Sequence, residues 1–133
     1  MIEPSLTVTL DGHRGAYRPG EILSGQYQLD GAQSDQVEAL EVSVLWYTQG
    51  KGDEDLAVHF FKRFSKDHRD QIDARHPGRF STLLPNSPLS YEGMILKIRW
   101  CVRVRLFLIG GRELVDERPF QLGHIPAAKS VPP

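Results

Sequence analysis

From Leu96 to Leu108 the chain alternates apolar and basic residues. Leu96, Ile98, Trp100, Val102, Val104, Leu106 and Leu108 fall on one parity, and Lys97, Arg99, Arg103 and Arg105 on the other. Successive side chains of a strand point to opposite faces of the sheet, so this segment reads as a long β-strand with one face in a core and the other displaying charge. A strand wet on one side belongs to an antiparallel sheet rather than to the fully covered parallel sheet of an α/β enzyme.

The same period of two recurs along the chain. Ser5–Leu10 places Leu6, Val8 and Leu10 on one side, and residues 21–29 place Leu23, Gly25, Tyr27 and Leu29 together. Between Val37 and Gln49 the pattern points Leu40, Val42, Val44 and Trp46 inward and Glu41, Ser43, Leu45 and Tyr47 outward. Leu56, Val58, Phe60 and Phe64 continue it, then Phe80, Thr82 and Leu84, and last a strand over 114–122 with Phe120 and Leu122 inward. Turn residues separate these runs: Asp11-Gly12, Pro19-Gly20, the glycine-rich Gly50-Lys51-Gly52-Asp53 of an expected hairpin, Pro85 to Pro88, and Gly110-Gly111. Residues 65–78 are the most polar stretch, with Ile72 as their one large apolar side chain, and read as a loop. Asp35 and Glu38 have the spacing of a helix cap, but too little chain follows for a helix. About seven strands with no helical period between them predict an all-β fold, an antiparallel immunoglobulin-like β-sandwich. One domain over 1–124 and a flexible tail over 125–133 are expected.

Charge and composition narrow the function classes. Sixteen basic and seventeen acidic residues leave a net charge of −1, which removes the global attraction of a nucleic-acid binder, so no nucleic-acid partner is expected. The single cysteine, Cys101, excludes an internal disulfide and suits a reducing cytoplasm. The opening Met1 to Ser5 carries no leader pattern, and no apolar run is long enough to cross a bilayer.

Candidate chemistry is sparse. His13, His59, His68, His76 and His124 lack metal-ligand spacing, and the cluster Asp67, His68, Asp70, Asp73 and His76 matches no calcium-loop or zinc pattern, so neither metal nor cofactor is expected. Cys101 falls on the charged face beside Arg99 and Arg103. Cations lower a thiol's pKa, yet no sequence signature places a base or oxyanion donors beside it, and it is read as a structural surface cysteine. Gly50-Lys51-Gly52 lacks the remainder of a phosphate loop. No catalytic constellation is present, and the expectation is a non-enzyme.

The most distinctive surface feature is the basic stripe. Lys97, Arg99, Arg103 and Arg105 span about 26 Å at strand rise, enough to follow an acidic peptide or several phosphates, and are the candidate partner-binding residues. The competing reading pairs them across strands with acids such as Glu41, Glu113 or Glu117, each exposed pair contributing about 0–1 kcal/mol.

Two segments carry a family resemblance. Tyr17-Arg18-Pro19-Gly20-Glu21-Ile22-Leu23-Ser24-Gly25 resembles the Y-x-P-G-E-x-x-x-G segment near the start of arrestin-fold domains. Pro88-Leu89-Ser90-Tyr91-Glu92-Gly93, leading into the strand from Leu96, is similar to the P-x-S-[YF]-x-G loop of alpha-arrestins and of the arrestin-like retromer subunit. Order and separation also match, so the resemblance covers roughly 5–122. It implies a single arrestin-like sandwich, a stand-alone half of the usual tandem as found in bacteria, acting as a cytoplasmic adaptor or scaffold for a protein or peptide. The chain has no room for the second sandwich, and its end, Val131-Pro132-Pro133, lacks the PPxY motif of alpha-arrestins. Self-association through edge strands, a second arrestin-like domain from another chain and peripheral contact with a membrane stay open. The alternative function is a β-sandwich that binds a polyanion or anionic lipid headgroups through Lys97, Arg99, Arg103 and Arg105.

Overall fold

The computed structural model describes residues 3–12, 15–52 and 54–123. His13, Asp53, His124 and the tail expected over 125–133 lie outside the described residues. Nine strands follow in order: β1 (Ser5–Leu10), β2 (Ala16–Tyr17), β3 (Ile22–Asp30), β4 (Val37–Gly50), β5 (Leu56–Ser65), β6 (Gly78–Leu83), β7 (Tyr91–Glu92), β8 (Leu96–Leu108) and β9 (Glu113–Leu122). Seven of them have six residues or more, the strands that the alternation predicts. Two single 3₁₀ turns, Ser34–Gln36 and Lys66–His68, are the helical elements among the described residues.

The strands form two sheets. The smaller has the order β1-β3-β6, and the larger runs β2-β9-β8-β4-β5, with β7 added against β8. All pairings are antiparallel except β2 on β9, a two-residue parallel contact that the sequence pattern does not announce. The expected hairpin joins β4 to β5.

Inner faces meet as the alternation requires. Val8, Leu23, Leu29 and Phe80 of the small sheet pack on Leu40, Val42, Val44, Val102, Val104 and Leu106 of the large one. Gly25 sits where a Cβ would come within 2.5 Å of the Thr9 carbonyl and 2.8 Å of the Phe80 ring, so its missing side chain permits close packing. Trp100 is 1% exposed. Its indole N–H donates to the Pro88 carbonyl at 2.8 Å, and its ring lies 5.8 Å from Phe120 and edge-on to His59 at 6.1 Å. The polar atom of the largest core side chain therefore has a partner, as burial demands.

Two details depart from simple alternation. On β5, Val44 faces Phe60 but Leu45 faces Val58, so His59 is an extra residue, a β-bulge. The bulge changes the phase: Phe60 and Phe64 pack on the core, whereas Leu56 and Val58, expected with them, lie on the outer face. On β4, Leu45 belongs to the outward parity yet is 1% exposed, because Val58 of β5 and Cys101 of β8 flank it in register. A central strand is covered from both sides, even on the wet face.

Replacing Trp100 with alanine is expected to cost about 3–5 kcal/mol, because the change empties a packed site and orphans the Pro88 carbonyl. The measurement is the shift in urea midpoint at unchanged m-value.

Candidate functional site

The outer face of the large sheet carries the charged residues that the sequence singles out. Antiparallel register sets them in rows across four strands. Arg63, Glu41, Arg105 and Val115 form one row, Phe61, Ser43, Arg103 and Glu117 the next, and Val58, Leu45, Cys101 and Pro119 a third, apolar one.

Each cation of the stripe faces a carboxylate. Lys97 lies 3.8 Å and Arg99 3.1 Å from Glu92 of β7, and the Arg99 Nε also donates to Gln49 at 2.8 Å. Arg103 donates to Glu117 at 2.6 Å, and Arg105 to Glu113 at 2.7 Å. Glu41 is shared between Arg105, at 3.8 Å, and Arg63. The Arg63 and Arg105 guanidinium groups both lie against the Phe107 ring, at 5.5 and 5.2 Å from its centroid. Hydrogen bonding to Arg105 holds the Glu113 carboxyl below its ordinary range. Glu92 is sequence-adjacent to the stripe; the other three acids reach it only through strand pairing.

Cys101 is buried, 3% exposed, not the surface cysteine that its parity suggests. Its neighbours on the outer face are Leu45 and Pro119, and burial, reinforced by the Glu117 charge and opposed by Arg103, pushes its thiol up to about 11. Neighbouring arginines alone predict the opposite direction; desolvation outweighs them.

The polar loop after β5 does not gather its acids and histidines into one site. Asp70 accepts from the Ser65 amide at 2.9 Å, Asp73 accepts from the Arg75 amide and contacts His76 Nδ1 at 2.8 Å, and Ile72 packs toward the core. His76 and that amide hold the Asp73 carboxyl down to about 2. Among the described residues, no three His, Cys, Asp or Glu side chains stand where they could hold a metal ion.

Depressions in the surface are open and lie on the rim. One of about 220 Å³ sits between the polar loop and the core, lined by Tyr27, Leu40, Phe64, Ile72 and His76. Another, of about 370 Å³, runs between the free edges of β5 and β6, lined by Phe60, Lys62, Phe64, Arg79 and Phe80.

The two sides of the sandwich differ. Along β1, the Val8 N–H donates to Asp116 of β9 and the Val8 carbonyl accepts from Arg118, both at 2.8 Å, so side chains close that edge. Among the described residues, the ladder continues from β5 to no further strand beyond β4; its edge touches β6 through His59 Nε2 and the Leu83 carbonyl, at 2.7 Å. Leu56, Val58 and Phe61, at 57%, 50% and 54% exposed, line the outer face of that edge. Alternation alone misses this apolar row, since it assigns Leu56 and Val58 to the core.

No protein-family model and no curated protein sequence matches the chain. Among solved structures, it is similar to Spo0M, a sporulation control protein from Bacillus subtilis, with a TM-score of 0.65 at 17% identity over 94% of this chain and 51% of that one. The fold is an arrestin-like β-sandwich. The chain spans about half the length of Spo0M. A superoxide reductase (neelaredoxin) from Ignicoccus hospitalis shares the sandwich more loosely, with a TM-score of 0.51 at 6% identity over 90% of this chain and 80% of that one. No helix among the described residues is long and apolar enough to cross a membrane.

A thiol with a raised folded-state pKa stabilises the native state below its ordinary value of 9.0 and loses that contribution as pH rises toward about 11. Wild-type protein is therefore expected to lose stability between about pH 9 and 11 more steeply than a Cys101→Ala variant. Urea midpoints across that range measure the difference, and parallel curves would contradict the assignment.

Proposed function

We propose that this chain is a non-enzymatic adaptor of arrestin-like fold, acting in the cytoplasm and binding a protein or peptide partner through loops and strand edges. The observation that carries this reading is the filled interior. Both inner faces pack on each other, and the depressions described open at the rim of the sandwich, so ligand contact falls to edges and loops. Spo0M, whose sandwich this chain shares, is a sporulation control protein, and that name supports a regulatory role for the present chain.

The polyanion alternative has less support. Every cation of the stripe Lys97, Arg99, Arg103 and Arg105 already faces a carboxylate, so binding a phosphate chain there means displacing Glu92, Glu113 or Glu117.

Salt dependence separates the two readings. Immobilised protein is expected to retain its captured partner proteins at about 0.5 M salt, where the Debye length is only a few ångströms, and to hold neither heparin nor phosphatidylserine vesicles there. A variant with all four stripe cations changed to glutamine is expected to stay folded and to capture the same proteins, since exposed ion pairs contribute about 0–1 kcal/mol each. Steeply salt-dependent retention of heparin or vesicles, lost in that variant, would replace the adaptor reading with the polyanion one.

A further inference from the structure

We propose that β5 is a self-association edge, pairing antiparallel with β5 of a second copy about a two-fold axis that passes between Val58 and His59. The inference does not rest on the adaptor reading; it concerns this chain and a copy of itself.

Protected edge strands are short, or carry charge along their length. β5 has ten residues, and its outer face carries Leu56, Val58 and Phe61, all exposed, within its first six positions. Charge flanks this apolar row and differs in sign: Glu54 and Asp55 precede the strand, Lys62 and Arg63 lie in its second half, and Lys66 follows it. An antiparallel copy meets this gradient with its opposite, whereas a parallel copy sets like charge against like. The arrangement selects one orientation.

The register is set by face as well as by charge. Leu56 stands beside Tyr47 and Phe61 beside Ser43, so both lie on the outer face although they are five residues apart, an odd separation that only the His59 bulge allows. Placing Leu56 opposite Phe61 of the second copy keeps inner with inner, since Ala57 and Phe60 both lie on the opposite face, beside Trp46 and Val44. The same register sets Asp55 opposite Lys62, and Glu54 opposite Arg63. Among the described residues Lys62 has no carboxylate partner; its Nζ lies 5.0 Å from the Phe64 ring centroid. The Asp55 backbone is bonded to Thr48, but its carboxylate has no cation partner among the described residues. Each is thus free for the other across the axis. The other edges are less suited: side chains close β1, β2 has two residues, and β6 has only six and meets His59 of β5 at Leu83.

Sedimentation equilibrium of the purified chain tests this. A species of twice the 15.0 kDa monomer mass is expected to form as concentration rises toward about 1 mM. Asp55→Lys and Lys62→Glu are each expected to weaken the dimer by roughly tenfold, because each reverses two symmetry-related pairs, and the double variant is expected to restore it. Phe61→Lys is expected to leave a folded monomer, with Val115→Lys, on the same outer face but on β9, as the control that still dimerises. Circular dichroism confirms that each variant is folded. A wild-type monomer at every concentration overturns the proposal, as does a dimer whose single charge reversals have no effect or are not rescued by the double. Neither result bears on partner capture.

Discussion

The rest of the molecule depends on the pairing of β4 with β8. These are the two longest strands, and their register runs from Val37 beside Leu108 to Gly50 beside Leu96. It sets Val42 against Val104, Val44 against Val102 and Trp46 against Trp100, which fills the centre of the large sheet with β-branched and aromatic pairs. A slip of one residue would turn every one of these side chains to the other face, so the hydrophobic pattern of both strands enforces the register. The same register decides the outer face. Glu41 reaches Arg105 only because their two strands align at that point, and β9 then brings Glu113 to the same Arg105 and Glu117 to Arg103.

A sandwich has two open sides, and this one treats them differently. On one, Asp116 and Arg118 of β9 bond both backbone groups of Val8, so the small sheet is joined to the large one by side chains that stand in for a missing strand. On the other, β5 and β6 meet at His59 and Leu83 and diverge around a groove. His59 serves two purposes. As the extra residue of the bulge it shields the edge of Trp100, and by shifting the phase of β5 it sends Leu56 and Val58 outward. One inserted residue thus sets a ring against the core tryptophan and creates the exposed apolar row.

The charged face of the large sheet works mainly as a matched surface. With Arg63, Glu41, Arg105 and Glu113 in one chain of contacts over Phe107, cations and carboxylates satisfy one another, and the arginine planes cover an aromatic ring. Such a face resists non-specific attraction of either sign, in keeping with the net charge of −1. Its apolar row is shielded at the centre, where Leu45 and Cys101 are buried, and open at the β5 edge.

Period-two alternation by itself determined the seven long strands, the inward parity of Trp100 and Phe120, the β4–β5 hairpin and the sandwich class, because a residue's face in a strand follows from its count along the chain. The Tyr17 to Gly25 and Pro88 to Gly93 segments added the arrestin-like form. Alternation also offered Glu41, Glu113 and Glu117 as cross-strand partners of the stripe, and they do meet it; only tertiary structure decided that they serve Arg103 and Arg105, while Lys97 and Arg99 take Glu92 of β7. Leu45 and Cys101 carry an outward parity but are buried, because lateral neighbours remove them from water and parity cannot count neighbours. The bulge at His59 leaves no mark on composition, yet it reverses the facing of Leu56 and Val58. The sequence therefore determined what each strand is, and the packing of strand against strand decided which of its surfaces remain open to a partner.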